Sequence, residues 1–142
     1  MNKDSPIHDL FTREIAVNKD DSDLHWTVLQ ATDHLLRRFG LAEVVRASNN
    51  SKPGMKLRMV ADEVWALIEG RVEFVWHDLR TDSPTYGNQH RLSCERPTLV
   101  LAPFGVAFGF RPLDKTALLV RLATHPEDTH EGDRRLPWEF LE

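Results

Sequence analysis

Between residues 57 and 123, short runs of β-branched and aromatic residues follow one another, at 57–61, 63–68, 71–77, 90–94, 98–102 and 116–123. Runs this short, closed off by Gly, Pro, Asp or Ser, read as strands rather than helices. Glu69-Gly70 makes a tight turn, and Asp82-Ser83-Pro84 and Pro103-Phe104-Gly105 punctuate later runs. In 71–77, Val72, Phe74 and Trp76 alternate with Arg71, Glu73 and His77, which gives one apolar face. The runs 63–68 and 116–123 are apolar on both sides and are expected to be covered on both faces. Several short strands with regular turns indicate an all-β sandwich or barrel.

Ahead of Gly40 the pattern differs. Leu24, Val28, Leu35, Leu36 and Phe39 follow near-helical spacing, with Ser22 or Asp23 as a cap and Arg37, Arg38 and Gly40 as a stop. This predicts an N-terminal helix packed on the sheet or on a partner. Residues 48–54, Ser-Asn-Asn-Ser-Lys-Pro-Gly, read as a loop. A chain of 142 residues is the size of one domain, and 41% hydrophobic with 28% charged residues excludes disorder and coiled coil. A net charge of −4 supplies no field to gather nucleic acid or an anionic membrane, so neither is expected as a partner. No apolar run is long enough to span a bilayer, and residues 1–10 lack a signal-type apolar stretch. Cys94 stands alone, which excludes an internal disulfide, and it reads as a small buried apolar residue. A cytoplasmic location is expected.

Glu63 is followed by six residues and then Gly70, and later comes Pro103-Phe104-Gly105-Val106-Ala107-Phe108-Gly109-Phe110. These features resemble the two signature motifs of the cupin superfamily. Within it, the stretch 70–110 resembles the dTDP-4-dehydrorhamnose 3,5-epimerase family through Asp78-Leu79-Arg80, Ser83-Pro84-Thr85-Tyr86-Gly87 and the segment 103–110. The resemblance implies a cupin jelly-roll barrel (a double-stranded β-helix) over residues 41–142, preceded by an arm and helix over 1–40. It also implies a homodimer, for which the tryptophans could anchor the interface.

The family's chemistry does not carry over residue by residue. The positions of the cupin metal ligands fall on Leu57, Met59 and Phe108, which leaves Glu63 alone, so no metal and no other cofactor are expected. The epimerases resembled here use a His base and a Tyr acid. No His lies between His34 and His77; the Asn49-Asn50 region could align instead with the base segment, and an amide does not titrate. The tyrosine position falls on Val120, and the only tyrosine is Tyr86. Glu63 and His77 are the weak catalytic candidates. Glu63 among Leu57, Met59 and Phe108 would have its pKa raised by burial; the commoner role is a glutamate hydrogen-bonded to backbone or arginine. His77 beside Asp78 suggests a held imidazole, although adjacent strand residues point to opposite faces. Arg58, Glu63, Arg80, Phe108 and Arg121 are the candidate ligand-binding residues. Arg80 suits a phosphate or carboxylate, or a structural bridge to Asp78 or Asp82; Arg58 and Arg121 bind an anion or pair with Glu63 or Glu73. His90 reads as solvent-facing, Trp65 and Trp76 as core, and His125, Glu127, Asp128 and His130 as a solvated loop.

The resulting expectation is a metal-free cupin that binds a small ligand, such as a nucleotide sugar or another carbohydrate-pathway metabolite, without 3,5-epimerase activity. Two alternatives stand beside it: an active epimerase or isomerase using other residues, or an interaction protein with a plugged barrel. Because Leu57 and Met59 would remain non-ligands, Phe108→His alone creates no metal site. Titration calorimetry with Zn2+ or Ni2+ should show no stoichiometric binding; tight one-to-one binding to the unsubstituted protein overturns this expectation.

Overall fold

The computed structural model describes residues 6–138. The leader question raised over 1–10 falls in part on residues 1–5, which, with 139–142, lie outside the described residues. Twelve strands form two five-stranded antiparallel sheets and a small hairpin. In chain order they are β1 (Thr12–Glu14), β2 (Val17–Asp20), β3 (Asp23–Trp26), β4 (Leu41–Ser48), β5 (Gly54–Leu57), β6 (Glu63–Glu69), β7 (Val72–Asp78), β8 (Gln89–Cys94), β9 (Thr98–Ala102), β10 (Val106–Pro112), β11 (Thr116–Ala123) and β12 (Arg134–Pro137). The first sheet runs β1-β9-β6-β11-β4 and the second β12-β5-β10-β7-β8, while β2 pairs only with β3.

Alternation sends one set of side chains between the sheets. Trp65 and Leu67 from the first sheet meet Val72, Phe74, Trp76 and Phe108 from the second in the main core. The rings of Phe74 and Phe108 stack at 5.7 Å, and Trp76 lies 5.5 Å from Phe108. The barrel interior is therefore filled by aromatic rings, and Phe108 is one of them. Both faces of β6 are covered as expected: Val64 and Ala66 turn outward into a second cluster with Leu99. Outside the second sheet, Met55, Val75 and Ala107 form a third cluster, so β7 is apolar on more than one side. Gly70 and Gly105 make the turns that carry the chain from one sheet to the other, β6 to β7 and β9 to β10, with φ +92° and +82°, a region that favours glycine.

Two expectations are corrected here. Among the described residues there is no N-terminal helix. The segment is a β2–β3 hairpin turning at Asp21 (φ +60°), a single 3-10 turn at Ala31–Asp33 and an irregular strap. Of the predicted apolar positions, Val28, Leu35 and Leu36 do pack on the first sheet's outer face, with Trp26 beside them, whereas Leu24 and Phe39 are exposed. Asp33 receives both arms of the Arg13 guanidinium at 2.9 Å, a partner no helix-cap reading anticipates. Gly40 does not stop a helix; its N–H donates to Ala123 O, and a Cβ there would stand 2.4 Å from the His125 backbone. The second correction concerns the predicted run 57–61, which is displaced toward the N-terminus: β5 ends at Leu57. In consequence Met59 is exposed. Lys56, not Leu57, is the register partner of Phe108, so Leu57 points to the opposite face. Leu57, Met59 and Phe108 thus do not converge, and they do not jointly plug the barrel.

The sandwich is closed along one edge and open along the other. At the closed edge, β1 and β8 line a common cleft, and the arm before β1 is tied to the second sheet's loop: His8 N–H donates to Thr85 Oγ1 and Asn88 Nδ2 to Pro6 O. At the open edge, β4 faces β5 and β12. The tightest approach in the second sheet is at Gly109, where a Cβ would meet Gly54 O at 2.4 Å. Gly109→Ala should therefore push β10 from β5 and cost about 1–3 kcal/mol. A lower urea midpoint with an unchanged slope would confirm this.

Candidate functional site

Glu63 opens β6, and Arg121 lies on β11 opposite Trp65, so strand register alone sets the glutamate beside the arginine. Arg58, just past β5, enters from the other sheet. All three are buried, at 4%, 2% and 6% exposure. Glu63 Oε1 accepts from Trp65 Nε1 at 2.9 Å and from Arg121 Nε at 3.0 Å, and its Oε2 accepts from Arg121 Nη2 and Arg58 Nη1. The arginines have outer partners too. Arg121 Nη1 donates to Glu43 (2.9 Å) and Glu127 (3.0 Å), and Arg58 donates to Asp133 (3.3 Å) and to Pro126 O (2.6 Å). The Arg121 guanidinium also lies over the Trp65 ring at 5.6 Å.

Electrostatics follows from this geometry. Burial alone would raise the Glu63 pKa, but the Arg121 hydrogen bonds and charge, the Trp65 N–H and the Arg58 charge hold it below its ordinary value. The commoner of the two readings of Glu63, a carboxylate hydrogen-bonded to arginine, is the one the geometry shows, and not a poised carboxylate in an apolar cavity. Four donors occupy Glu63, which is the counter-ion of two arginines. Glu127 is lowered to about 2, chiefly by hydrogen bonding to Arg121 against a smaller effect of burial, with Lys56 adding to the first.

The other candidates lie elsewhere. Asp78 is fully buried and accepts from Arg80 Nε (2.9 Å) and Nη2 (3.0 Å), Ser83 Oγ and Thr85 Oγ1 (both 2.6 Å). Arg80 Nη2 also reaches His8 O at 2.8 Å, so Arg80 clasps the arm to the β7–β8 loop and realises its structural reading. His77 is half-buried, and burial lowers its pKa against the opposing charge of Asp78. The two side chains leave opposite faces of β7. His90 is not simply solvent-facing: its ring lies 5.4 Å from Trp76, and burial lowers its pKa. Val120, at the expected tyrosine position, turns outward with Leu122, and Arg121 is the residue β11 sends inward. Asn49 and Asn50 are an exposed turn.

A cavity of about 310 Å3 opens between the sheets at the β4–β5 edge. Among the described residues, Trp65, Phe108 and Phe110 form its floor, Glu63 is its one carboxylate, and Arg46, Lys52, Lys56 and Arg135 are its cations. A larger groove, about 670 Å3, lies under the Leu79–Pro84 loop with Leu57, Met59 and Arg80, apart from the ion cluster. Sequence reasoning missed Arg46, Lys52, Lys56 and Arg135. The available signal was the alternation in Gly54-Met55-Lys56-Leu57-Arg58: Lys56 pairs in register with both Phe108 and Arg135. It also missed the ion pairs of Glu127 and Asp133: Glu127 lies in an exposed loop as expected, yet bonds Arg121 and Lys56, and Asp133 bonds Arg58.

No family model matches the chain. The spore coat polysaccharide biosynthesis protein SpsL of Bacillus subtilis (strain 168) is 26% identical over 133 residues, covering 89% of this chain and 87% of that protein. Among solved structures, a dTDP sugar isomerase from Desulfovibrio desulfuricans G20 superposes with a TM-score of 0.84 at 20% identity, covering 96% of this chain and 90% of that one. A dTDP-4-dehydrorhamnose 3,5-epimerase from Bacillus anthracis str. Ames, solved with TDP and pyrophosphate bound, gives 0.79 at 19% identity over 94% and 82%. The fold is thus the jelly roll of dTDP-sugar epimerases and isomerases, as the motifs of 70–110 indicated.

Replacing Glu63 by Gln leaves two buried guanidiniums facing a neutral amide and should cost about 3 kcal/mol or more. Glu63 and Glu127 are more acidic folded than unfolded, so their contribution is complete above pH ~4.3 and is lost as pH falls below it. Urea denaturation between pH 7 and pH 3 should show a steep acid loss in the natural protein and a shallower one in Glu63→Gln.

Proposed function

We propose that the chain binds a nucleotide sugar, or another phosphorylated carbohydrate-pathway metabolite, in the inter-sheet cavity and does not carry out 3,5-epimerisation. One observation carries the reading: an aromatic floor rimmed by four cations, with its single carboxylate locked between two arginines. Among the described residues, Arg46 and Arg135 have no carboxylate within ion-pair distance, so their guanidiniums are available to a phosphate. A planar base or a sugar face suits the floor of Trp65, Phe108 and Phe110. The volume is at the lower end of ligand pockets, enough for one ring system with phosphates at the rim. Support also comes from the fold, which the chain shares with a protein solved with TDP bound.

The catalytic half of the reading rests on Glu63. Epimerisation next to a keto group needs a base that can take a proton and an acid that can return one. Glu63 is ionised and saturated with donors, and Val120 faces away from the cavity. A homodimer and a cytoplasmic location belong to this reading as proposals, and light scattering after gel filtration tests the first.

The test is binding and turnover together. A nucleotide at 100 times its dissociation constant adds about 2.7 kcal/mol of stability, so dTDP or a dTDP-sugar should raise the melting temperature and quench Trp65 fluorescence. Arg46→Ala and Arg135→Ala should each weaken binding. Incubation of a dTDP-4-keto-6-deoxy sugar in D2O should leave the carbons beside the ketone unexchanged. Absence of any shift across the nucleotides sinks the binding half, and enzymatic exchange sinks the other.

A further inference from the structure

We propose that Arg121 and Lys56 form a seat for one phosphate or carboxylate group of the ligand, and that Glu127 fills this seat only while no ligand is bound. The proposal deepens the binding reading above and rests on it. Glu127 Oε2 is shared between Arg121 Nη1 at 3.0 Å and Lys56 Nζ at 2.9 Å, and Oε1 lies 3.1 Å from Arg121 Nη2. A flat two-pronged fork with an ammonium beside it is the arrangement that receives a terminal phosphate or a carboxylate.

Of the three carboxylates on Arg121, Glu63 and Glu127 are held very differently. Glu63 is buried and belongs to a strand paired on both sides, so it cannot leave without unpicking the sheet. Glu127 has a side chain 40% exposed and comes from the irregular segment between β11 and β12. Rotation of its own side chain vacates the fork without breaking any ladder bond. Arg121, buried at 2% exposure, stays in place because Glu63 still holds its Nε and Nη2.

Charge counting supports such an exchange. Arg58, Arg121 and Lys56 face Glu43, Glu63, Glu127 and Asp133, three positive groups against four negative. With Glu127 seated, the cluster repels an incoming anion; with Glu127 turned to solvent, the ligand's own charge replaces it. Lys56 provides the route, since it lines both the aromatic-floored cavity and the outer cleft where Glu127 sits. A phosphate following the cavity wall therefore meets the ammonium first and the Arg121 fork next.

An internal occupant weakens the apparent affinity by the fraction of time the seat is empty; one seated about nine-tenths of the time costs roughly tenfold. The experiment titrates full-length natural protein, Glu127→Gln and the control Glu131→Gln with inorganic pyrophosphate and with dTDP by calorimetry, after melting curves show that each is folded. Glu131 is an exposed acid of the same segment, so its variant reports the general effect of removing one negative charge. The expected result is a roughly tenfold gain for Glu127→Gln on pyrophosphate and at most a small change for Glu131→Gln. Equal gains in both variants, or none in Glu127→Gln, overturn the seat. If dTDP binds the natural protein and Glu127→Gln equally, the seat fails while the nucleotide reading stands. If pyrophosphate shows the gain and dTDP binds nothing, the seat stands and the nucleotide reading falls.

Discussion

Two arginines and a glutamate are held where water barely reaches, and the arrangement of the barrel follows from keeping them satisfied. Removing ions from water costs several kcal/mol each, which their attraction offsets only when the remaining donors and acceptors are used as well. Here they are. Glu63 takes four hydrogen bonds, Arg121 spreads over three glutamates, and Arg58 spans Glu63, Asp133 and a backbone carbonyl. Those partners come from β4, β6, β11 and the segment before β12, so the cluster pins both sheets and the last connection at a common point. Such a centre is costly to build for stability alone, since apolar side chains of similar volume often serve as well. What it supplies is a fixed direction for guanidinium groups at the edge of a cavity.

The same reasoning bears on the proposed reading of this interior. A base must be able to exchange its proton, which requires lone pairs that are free and a charge that is not locked. The register gives Phe108 the neighbours Lys56 and Trp76, placing aromatic rings where a ligand set would otherwise meet. The fold is shared with dTDP-sugar epimerases and isomerases, and the proposed reading assigns the groups inside this barrel to holding an anion.

Much of the scaffold was legible because its signals are local. Glu69-Gly70 and Pro103-Phe104-Gly105 mark turns between the sheets whose glycines do take positive φ, and alternation in 71–77 named Val72, Phe74 and Trp76 as core. The N-terminal segment deceived because apolar residues near a helical period can also line an irregular strap; burial fixes which residues are apolar, not the path between them. The site was harder to read because its bonds join distant positions. Arg121 and Glu63 are 58 residues apart, and Lys56 and Glu127 are 71 apart. Glu127 lies in a run of His, Pro, Asp and Thr with no periodicity, so composition assigned it to solvent. Its role depends on where β11 and β12 bring that run, which local pattern does not encode. Pairing of Arg58 and Arg121 with Glu63 was expected from the need to satisfy buried cations, and there the inference and the geometry agree.

The arm that precedes β1 does more than tidy a terminus. It hydrogen-bonds to the β7–β8 loop through His8 and Asn88, while β1 itself pairs with β9, so one short stretch of chain stitches both sheets along the same side. At the opposite edge the two sheets are joined through side chains: Glu43 on β4 and Lys56 on β5 are linked by Arg121 and Glu127. The molecule is thus built like a bound volume, with a sewn spine at β1 and β8 and a salt-bridge clasp at the fore-edge, and the cavity opens beside that clasp.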